Sequence, residues 1–276
     1  MALEVSKAVS WAQHHASHMI LLAVFFLMSI IRNLEYTYHK AYLRLLSITY
    51  YPNKSPSVIR NDVTQLAKIP KRLSCIISMR SEDDENGGIE GAVSDISELA
   101  AWCLSAGIPS LTIYEETGAV KPNLGELERY IQKNLRAYFG VPTPAFTLRV
   151  PHSNTTVTSG DTSESQPALD IALLSRVDGK PTIVELTKTM SELTANHELS
   201  VKDITVQLID EELNELVGPE PDLLICFDPV LDLHDYPPWH LRLSELYWDA
   251  DNDSVNYPVF IRALRQFANC KMNVGK

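Results

Sequence analysis

The stretch Ile89-Glu-Gly-Ala-Val-Ser-Asp-Ile-Ser-Glu-Leu-Ala-Ala-Trp-Cys-Leu-Ser-Ala-Gly107-Ile-Pro-Ser-Leu-Thr-Ile-Tyr114 decides the fold. Its first part sets Ile89, Val93, Ile96, Leu99, Ala100, Cys103 and Leu104 at helical spacing, the pattern of a helix packed on a core. Gly107 suits the left-handed position that closes a helix, and Pro109, two residues on, cannot continue it. Ser110 to Tyr114 then reads as a short buried strand. Upstream, Leu73-Ser-Cys-Ile-Ile-Ser78 is another continuous apolar run, as a strand covered on both faces requires. Strand, helix and strand in this order make a βαβ unit.

The alternation continues outward. Leu124 to Tyr138 reads as a helix with Leu127, Tyr130, Ile131 and Leu135 on one face, and Ala145 to Val150 as a strand. Pro151 to Gln166 is rich in Ser, Thr, Asp and Gly and reads as a mobile insertion. Leu169 to Leu174 resumes as a strand, followed by helices over Thr182 to His197 and Val201 to Val217. Pro221 to Phe227 forms another strand, Leu246 to Trp248 a last short one, and Tyr257 to Cys270 a closing helix. The expected fold class is α/β, a mainly parallel central sheet flanked by helices, with an N-terminal transmembrane helix. The expected organisation is an anchor and juxtamembrane segment over 1–50, a linker over 51–72 that holds a short amphipathic stretch, Val58 to Lys68, ended by Pro70, and the α/β domain over 73–276. Within that domain, 150–167 is the insertion and 271–276 a C-terminal tail.

The anchor rests on Met19-Ile-Leu-Leu-Ala-Val-Phe-Phe-Leu-Met-Ser-Ile-Ile31. From Ala8 to Ile31 there is no Asp, Glu, Lys or Arg, a length of about 36 Å as a helix against a hydrocarbon core of about 30 Å. No small-residue cleavage site follows, which favours a signal anchor over a cleaved signal. Arg32, Lys40 and Arg44 follow the segment while only Lys7 and the amino terminus precede it, so the positive-inside bias puts the body in the cytosol.

The 276 residues carry 24 Lys and Arg against 35 Asp and Glu, a formal charge of −11. A body this acidic is unsuited to a phosphate backbone, so nucleic acid is not an expected partner. Cys75, Cys103, Cys226 and Cys270 lie far apart with no Cys/His clustering, which argues against a disulfide scaffold or zinc module and for reduced, mostly buried thiols. Asn154-Thr-Thr156 and Asn252-Asp-Ser254 fit the N-glycosylation pattern, which a cytosolic body would leave unused.

In a parallel sheet, ligands sit at the carboxyl ends of the strands. Glu82 to Glu85 follow the first strand and read as a solvated acidic loop, since four adjacent carboxylates cannot face one ion. Glu115 and Glu116 follow the second, diverging on a turn. Asp228 begins the turn after Phe227, and His234 and His240 lie near Asp232 and Asp235 without metal spacing. No P-loop, GxGxxG or GxSxG pattern is present. Neither a metal site nor a catalytic residue is expected in the chain.

Four stretches carry a resemblance: Trp102-Cys-Leu-Ser-Ala-Gly-Ile108 with Leu111-Thr-Ile-Tyr114; Asp170-Ile-Ala-Leu-Leu174; Pro221-Asp-Leu-Leu-Ile225 with Pro238-Trp-His-Leu-Arg-Leu-Ser-Glu-Leu-Tyr247; and Phe260 to Asn273-Val-Gly-Lys276. Their order resembles the undecaprenyl and dehydrodolichyl diphosphate synthases, the cis-prenyltransferases, and more closely their non-catalytic eukaryotic subunits of the Nogo-B receptor type. Catalytic members carry Asp-Gly-Asn-Arg-Arg after the first strand; here Met79-Arg-Ser-Glu stands there. The family's Phe-Ser-Thr-Glu-Asn-Trp is Glu115-Glu-Thr-Gly-Ala-Val here, and its Arg-Thr-Gly-Gly-Glu is Cys226-Phe-Asp-Pro-Val. Departure of pyrophosphate needs concentrated positive charge and Mg²⁺, and these acidic loops repel it.

The resemblance therefore implies an accessory subunit of dehydrodolichyl diphosphate synthase, an obligate part of the enzyme but not catalytic alone. It further implies a catalytic cis-prenyltransferase subunit as partner, which binds the Mg²⁺. Isopentenyl diphosphate would be added in cis to farnesyl diphosphate for dolichol synthesis and protein glycosylation at the endoplasmic reticulum membrane. The tail would cross into the partner's active site, where Asn273 and Gly275 take the place of an Arg-x-Gly motif on isopentenyl diphosphate. Asn273 lacks the charge of a bidentate Arg, and Lys276 can restore one. Trp239, Leu243, Phe260, Leu264 and Phe267, with Arg242, Ser244 and Glu245 as polar elements, are the candidate dimer interface. The alternatives are a membrane scaffold or receptor that uses the fold only for protein binding, and a self-sufficient enzyme with the acidic loop as a metal site.

Overall fold

The apolar runs that suit burial on both faces become the centre of one sheet. The computed structural model describes residues 2–50, 55–84, 86–159 and 167–270. The chain divides into two units, Met1–Ile48 and Thr49–Lys276. In the second unit the strands are β1 (Arg72–Ile76), β2 (Ser110–Tyr114), β3 (Phe146–Val150), β4 (Thr155–Ser159), β5 (Leu169–Leu174), β6 (Leu223–Cys226) and β7 (Glu245–Trp248). They form a seven-stranded sheet in the order β4-β3-β5-β2-β1-β6-β7. Every pairing is parallel except β3 with β4. In the central register Leu73 stands beside Leu111 on one side and Leu223 on the other, and all three are fully buried.

The long N-terminal helix α1 covers Ala2–Tyr50 and the helices of the second unit are α2 (Pro56–Thr64), α3 (Gly88–Ala106), α4 (Leu124–Phe139), α5 (Lys180–Ala195), α6 (Val206–Leu216) and α7 (Tyr257–Asn269). Helix α3 ends as its sequence dictates: Gly107 adopts φ 77°, and its N–H closes onto the Cys103 and Leu104 carbonyls. Trp102 is buried against the rings of Tyr257 and Phe260, at 5.6 and 5.5 Å. In α4, Leu127, Ile131 and Leu135 face inward as expected, but Tyr130 does not and is 38% exposed. Tyr138 takes the inner place instead, its hydroxyl donating to Glu98 at 2.7 Å.

Two expectations are corrected. The stretch 51–72 is not simply a linker, because α2 buries Ile59 and Val63 in the main core and Tyr257 of α7 donates to Asp62 at 2.9 Å. The stretch 150–167 is not wholly an insertion, because Thr155–Ser159 is an antiparallel edge strand on β3; residues 160–166 lie outside the described residues. Cys75, Cys103 and Cys226 are buried and Cys270 is half-buried, all as free thiols.

In α1, Met19 to Met28 are about half or more exposed along the apolar run. His14–Tyr42 is long and apolar enough to cross a membrane by length and composition, and none of its richest window is buried.

Candidate functional site

Because β1, β2, β5, β6 and β7 run parallel, their carboxyl ends open on one side, and the loops that follow them meet there. After β2, the Glu115 carboxylate is buried and accepts from the Thr117 N–H at 2.9 Å, the Thr117 hydroxyl at 2.8 Å and the Ala119 N–H at 2.9 Å. It shapes its own turn and is not presented to a ligand. Glu116 points away, toward Arg176 at 3.2 Å and His234 Nδ1 at 3.4 Å. After β5, Asp178 accepts from the Ser175 N–H and hydroxyl in a capping box and pairs with Lys121. Its second oxygen, Oδ1, is buried without a hydrogen-bond partner among the described residues.

The loop after β6 lies across these ends. The Tyr114 hydroxyl donates to the His234 carbonyl. The His234 ring lies between Asp228, 3.0 Å from Nε2, and Glu116. Asp235 pairs with Arg176 at 2.7 Å and with Lys180 at the start of α5. His234 and Asp235 both have positive φ, 46° and 59°, an uncommon backbone held by these side-chain contacts. Cys226 offers no nucleophile, since burial pushes its thiol up to about 11. His240 does not join this cluster: it is buried beside Glu220 and Asp210, and burial pushes its pKa below the ordinary value.

Beyond the ends of β1 and β6 lies a cleft of about 170 Å³, lined among others by Arg80, Asp95, Asp228 and Asp253. That is small beside the ~300–1,000 Å³ of ordinary ligand pockets. Among the described residues Arg80 is the single cation of its lining, against the carboxylates of Asp95, Asp228 and Asp253. Arg80 donates to Asp95 at 2.9 Å, and Asn86 to the same carboxylate at 3.1 Å. Burial nevertheless pushes Asp95 up to about 6. A diphosphate would have to displace the Arg80–Asp95 pair among carboxylates. The same donors do not fit a magnesium centre of the chain's own: Asp95 is bound to Arg80, Asp228 to His234, Asp178 to Lys121 and Asp235 to Arg176. Among the described residues no three His, Cys, Asp or Glu are grouped to hold a metal ion.

The interface candidates separate into two groups. Phe260, Leu264 and Phe267 are buried in the main core with α7, so the chain itself covers them. Leu243 is 55% exposed, with Leu246 and Trp248 also exposed on the edge strand β7. Trp239 is half-buried against a small core of Leu186, Met190 and Leu213. Its indole donates to Asp210 at 2.8 Å, as does Arg242, whose guanidinium lies 5.3 Å over the Trp239 ring. Ser244 donates to the Pro221 carbonyl at 2.7 Å, and Glu245 accepts from Gln266 at 3.3 Å. These polar groups hold the β7 approach onto α6 and α7. Asn273 and Gly275 lie outside the described residues. The Asn252 sequon is no acceptor: its side chain is buried and donates to the Phe227 carbonyl at 3.1 Å.

The composition of the strap over the strand ends and the Arg80–Asp95 pair escaped the sequence. Their only signals were His234-Asp235 set before Pro237-Pro238 and an Arg beside the first strand.

The fold is similar to that of a prenyl diphosphate synthase. It is similar to lavandulyl diphosphate synthase from Lavandula x intermedia, with a TM-score of 0.50 over 75% of this chain and 99% of that one, at 16% identity. No protein-family model matches the sequence. The chain is 44% identical over 289 residues to the dehydrodolichyl diphosphate synthase complex subunit NUS1 of Saccharomyces cerevisiae, covering 99% of this chain and 77% of that protein. It is 37% identical to the corresponding nus1 subunit of Schizosaccharomyces pombe, covering 84% and 86%. The chain belongs to the NUS1 family of dehydrodolichyl diphosphate synthase complex subunits.

Proposed function

We propose that the chain is the accessory subunit of a dehydrodolichyl diphosphate synthase, in which a catalytic cis-prenyltransferase partner holds Mg²⁺ and performs the reaction. The partner adds isopentenyl diphosphate in cis to farnesyl diphosphate, and the long product serves dolichol synthesis and protein glycosylation. The observation that carries this reading is the strand-end cleft. It is small, and the one cation lining it among the described residues is already paired with Asp95. Charge stabilisation of departing pyrophosphate therefore has to come from another polypeptide.

On this reading the chain contributes three things. The exposed Leu243, just before β7, and Leu246 and Trp248 on it form the apolar centre of the contact with the catalytic subunit. The tail reaches the partner's active site with Asn273 and Gly275 toward isopentenyl diphosphate. Helix α1 anchors the complex in the endoplasmic reticulum membrane with the body facing the cytosol, beside its lipidic product. Kinship to the NUS1 subunits supports all three.

The test uses full-length chain solubilised in detergent, alone and with a co-expressed catalytic subunit, and labelled isopentenyl diphosphate. The expected result is chain elongation by the pair and none by the chain alone with magnesium. Elongation by the chain alone overturns the reading, as does a pair no more active than the catalytic subunit by itself.

A further inference from the structure

Helix α1 does not stop where its uncharged segment ends at Ile31; it continues to Tyr50, about five further turns. This continuation is two-faced. Leu34, Tyr38, Ala41, Tyr42 and Leu45 recur at i, i+4, i+7, i+8 and i+11, which lines them along one side of a helix. Leu34 is 63% exposed, Tyr38 74%, Tyr42 41% and Leu45 63%. The Tyr38 and Tyr42 rings stack 6.4 Å apart on that side. The rest of the circumference carries Arg32, Asn33, Tyr36, Lys40 and Arg44, with Arg44 flanking the apolar side and the Lys40 ammonium donating to the Tyr36 hydroxyl at 3.3 Å.

We propose that the hydrocarbon span ends near Ile31, where the uncharged run stops, and that Arg32 to Leu45, which overlaps the last part of the apolar segment His14–Tyr42, is an interfacial lipid-binding element. Its Leu34–Tyr38–Tyr42–Leu45 side is seated at the boundary of headgroups and acyl chains, and Arg32, Lys40 and Arg44 face anionic lipid phosphates. This rests on the reading of α1 as a membrane anchor. Three observations name lipid as the occupant. The element follows the spanning segment without a break, so it is always held at the bilayer surface. Its cations outnumber its one acid, Glu35, which complements an anionic leaflet. Its apolar side is built from Leu and Tyr, and tyrosine's amphipathic ring suits the headgroup level. A helix normal to the membrane would carry Leu45 about 21 Å past Ile31, beyond a headgroup layer of roughly 5–8 Å. Seating the apolar side therefore requires α1 to incline or bend as it leaves the hydrocarbon.

The test places a fluorophore on single introduced cysteines in the full-length chain, reconstituted in phosphatidylcholine–phosphatidylserine vesicles. Leu34→Cys, Tyr38→Cys and Leu45→Cys report the apolar side, Asn33→Cys, Tyr36→Cys and Lys40→Cys the polar side, and Phe25→Cys the span. Lipid-borne nitroxide should quench the apolar-side positions several-fold more than the polar-side positions, and aqueous iodide should do the reverse. Equal quenching of the two sides, with Phe25→Cys still quenched only from the lipid, overturns the interfacial element while leaving the anchor. Iodide access at Phe25→Cys removes the anchor itself, and this element with it. Protection of the apolar side that appears only when the catalytic subunit is added assigns that side to protein and also overturns the proposal.

Discussion

The Arg80 guanidinium meets the Asp95 carboxylate at 2.9 Å within the strand-end cleft, so the cation in the loop after β1 is engaged from within the chain. Asp95 is the more perturbed partner, since burial pushes it up to about 6 even with Arg80 beside it. A carboxyl raised in the folded state binds its proton more tightly folded than unfolded. Stability is therefore lost as pH rises from the ordinary carboxylate range through about 6, and is flat above it. Compared with Asp95→Asn, the parent chain should lose on the order of 1–3 kcal/mol of unfolding free energy between about pH 4 and pH 7. Urea unfolding of both proteins across that range checks it; a pH-independent difference contradicts it.

Lys121 and Asp178 form the more deeply buried pair, with side chains 15% and 1% exposed. Lys121→Met leaves the Asp178 charge buried, and should cost about 3–5 kcal/mol. Replacing both, as Lys121→Met with Asp178→Leu, should restore most of that loss. The comparison is read in denaturant midpoints.

Core and edge should answer differently to truncation. Phe260→Ala removes a fully buried ring packed on Trp102 and should lower stability by about 3–5 kcal/mol. Leu243→Ser and Trp248→Ser change exposed positions and should shift stability by no more than about 0.5 kcal/mol, while weakening copurification with the catalytic subunit. Unchanged copurification would move the contact away from β7.

The tail is tested by charge. Deleting Asn273 to Lys276 should depress synthase activity of the complex, and Asn273→Arg should lower the KM for isopentenyl diphosphate by restoring a bidentate donor. Activity indifferent to both changes removes the tail from the active site.

The sheet was legible because its strands are continuous apolar runs closed by strong punctuation, as at Gly107-Ile-Pro109. Strand β4 was not, because Thr155–Ser159 is a mostly exposed polar edge whose composition matches that of a loop. Helix α2 was legible only as a short amphipathic stretch, Val58 to Lys68, inside a linker, because just Ile59 and Val63 of the helix reach the core. Phe260 and Leu243 are both large and apolar, so composition could not tell a core residue from an exposed one; the difference lies in which neighbours the fold brings to each. The acidity of the strand ends was visible residue by residue. Its internal pairing, Arg80 with Asp95 and Arg176 with Asp235, joins positions whose proximity only the folded chain creates.

Strand β7 ends the sheet with its outer rim of backbone N–H and C=O groups unpaired among the described residues, and with Leu246 and Trp248 exposed along it. Such a rim is sticky toward any extended chain until something caps it. An orphan copy, made in excess of its mate, is thus exposed to aggregation and to proteolytic quality control. On the proposed contact at β7, depletion of the catalytic subunit should therefore shorten the lifetime of this chain.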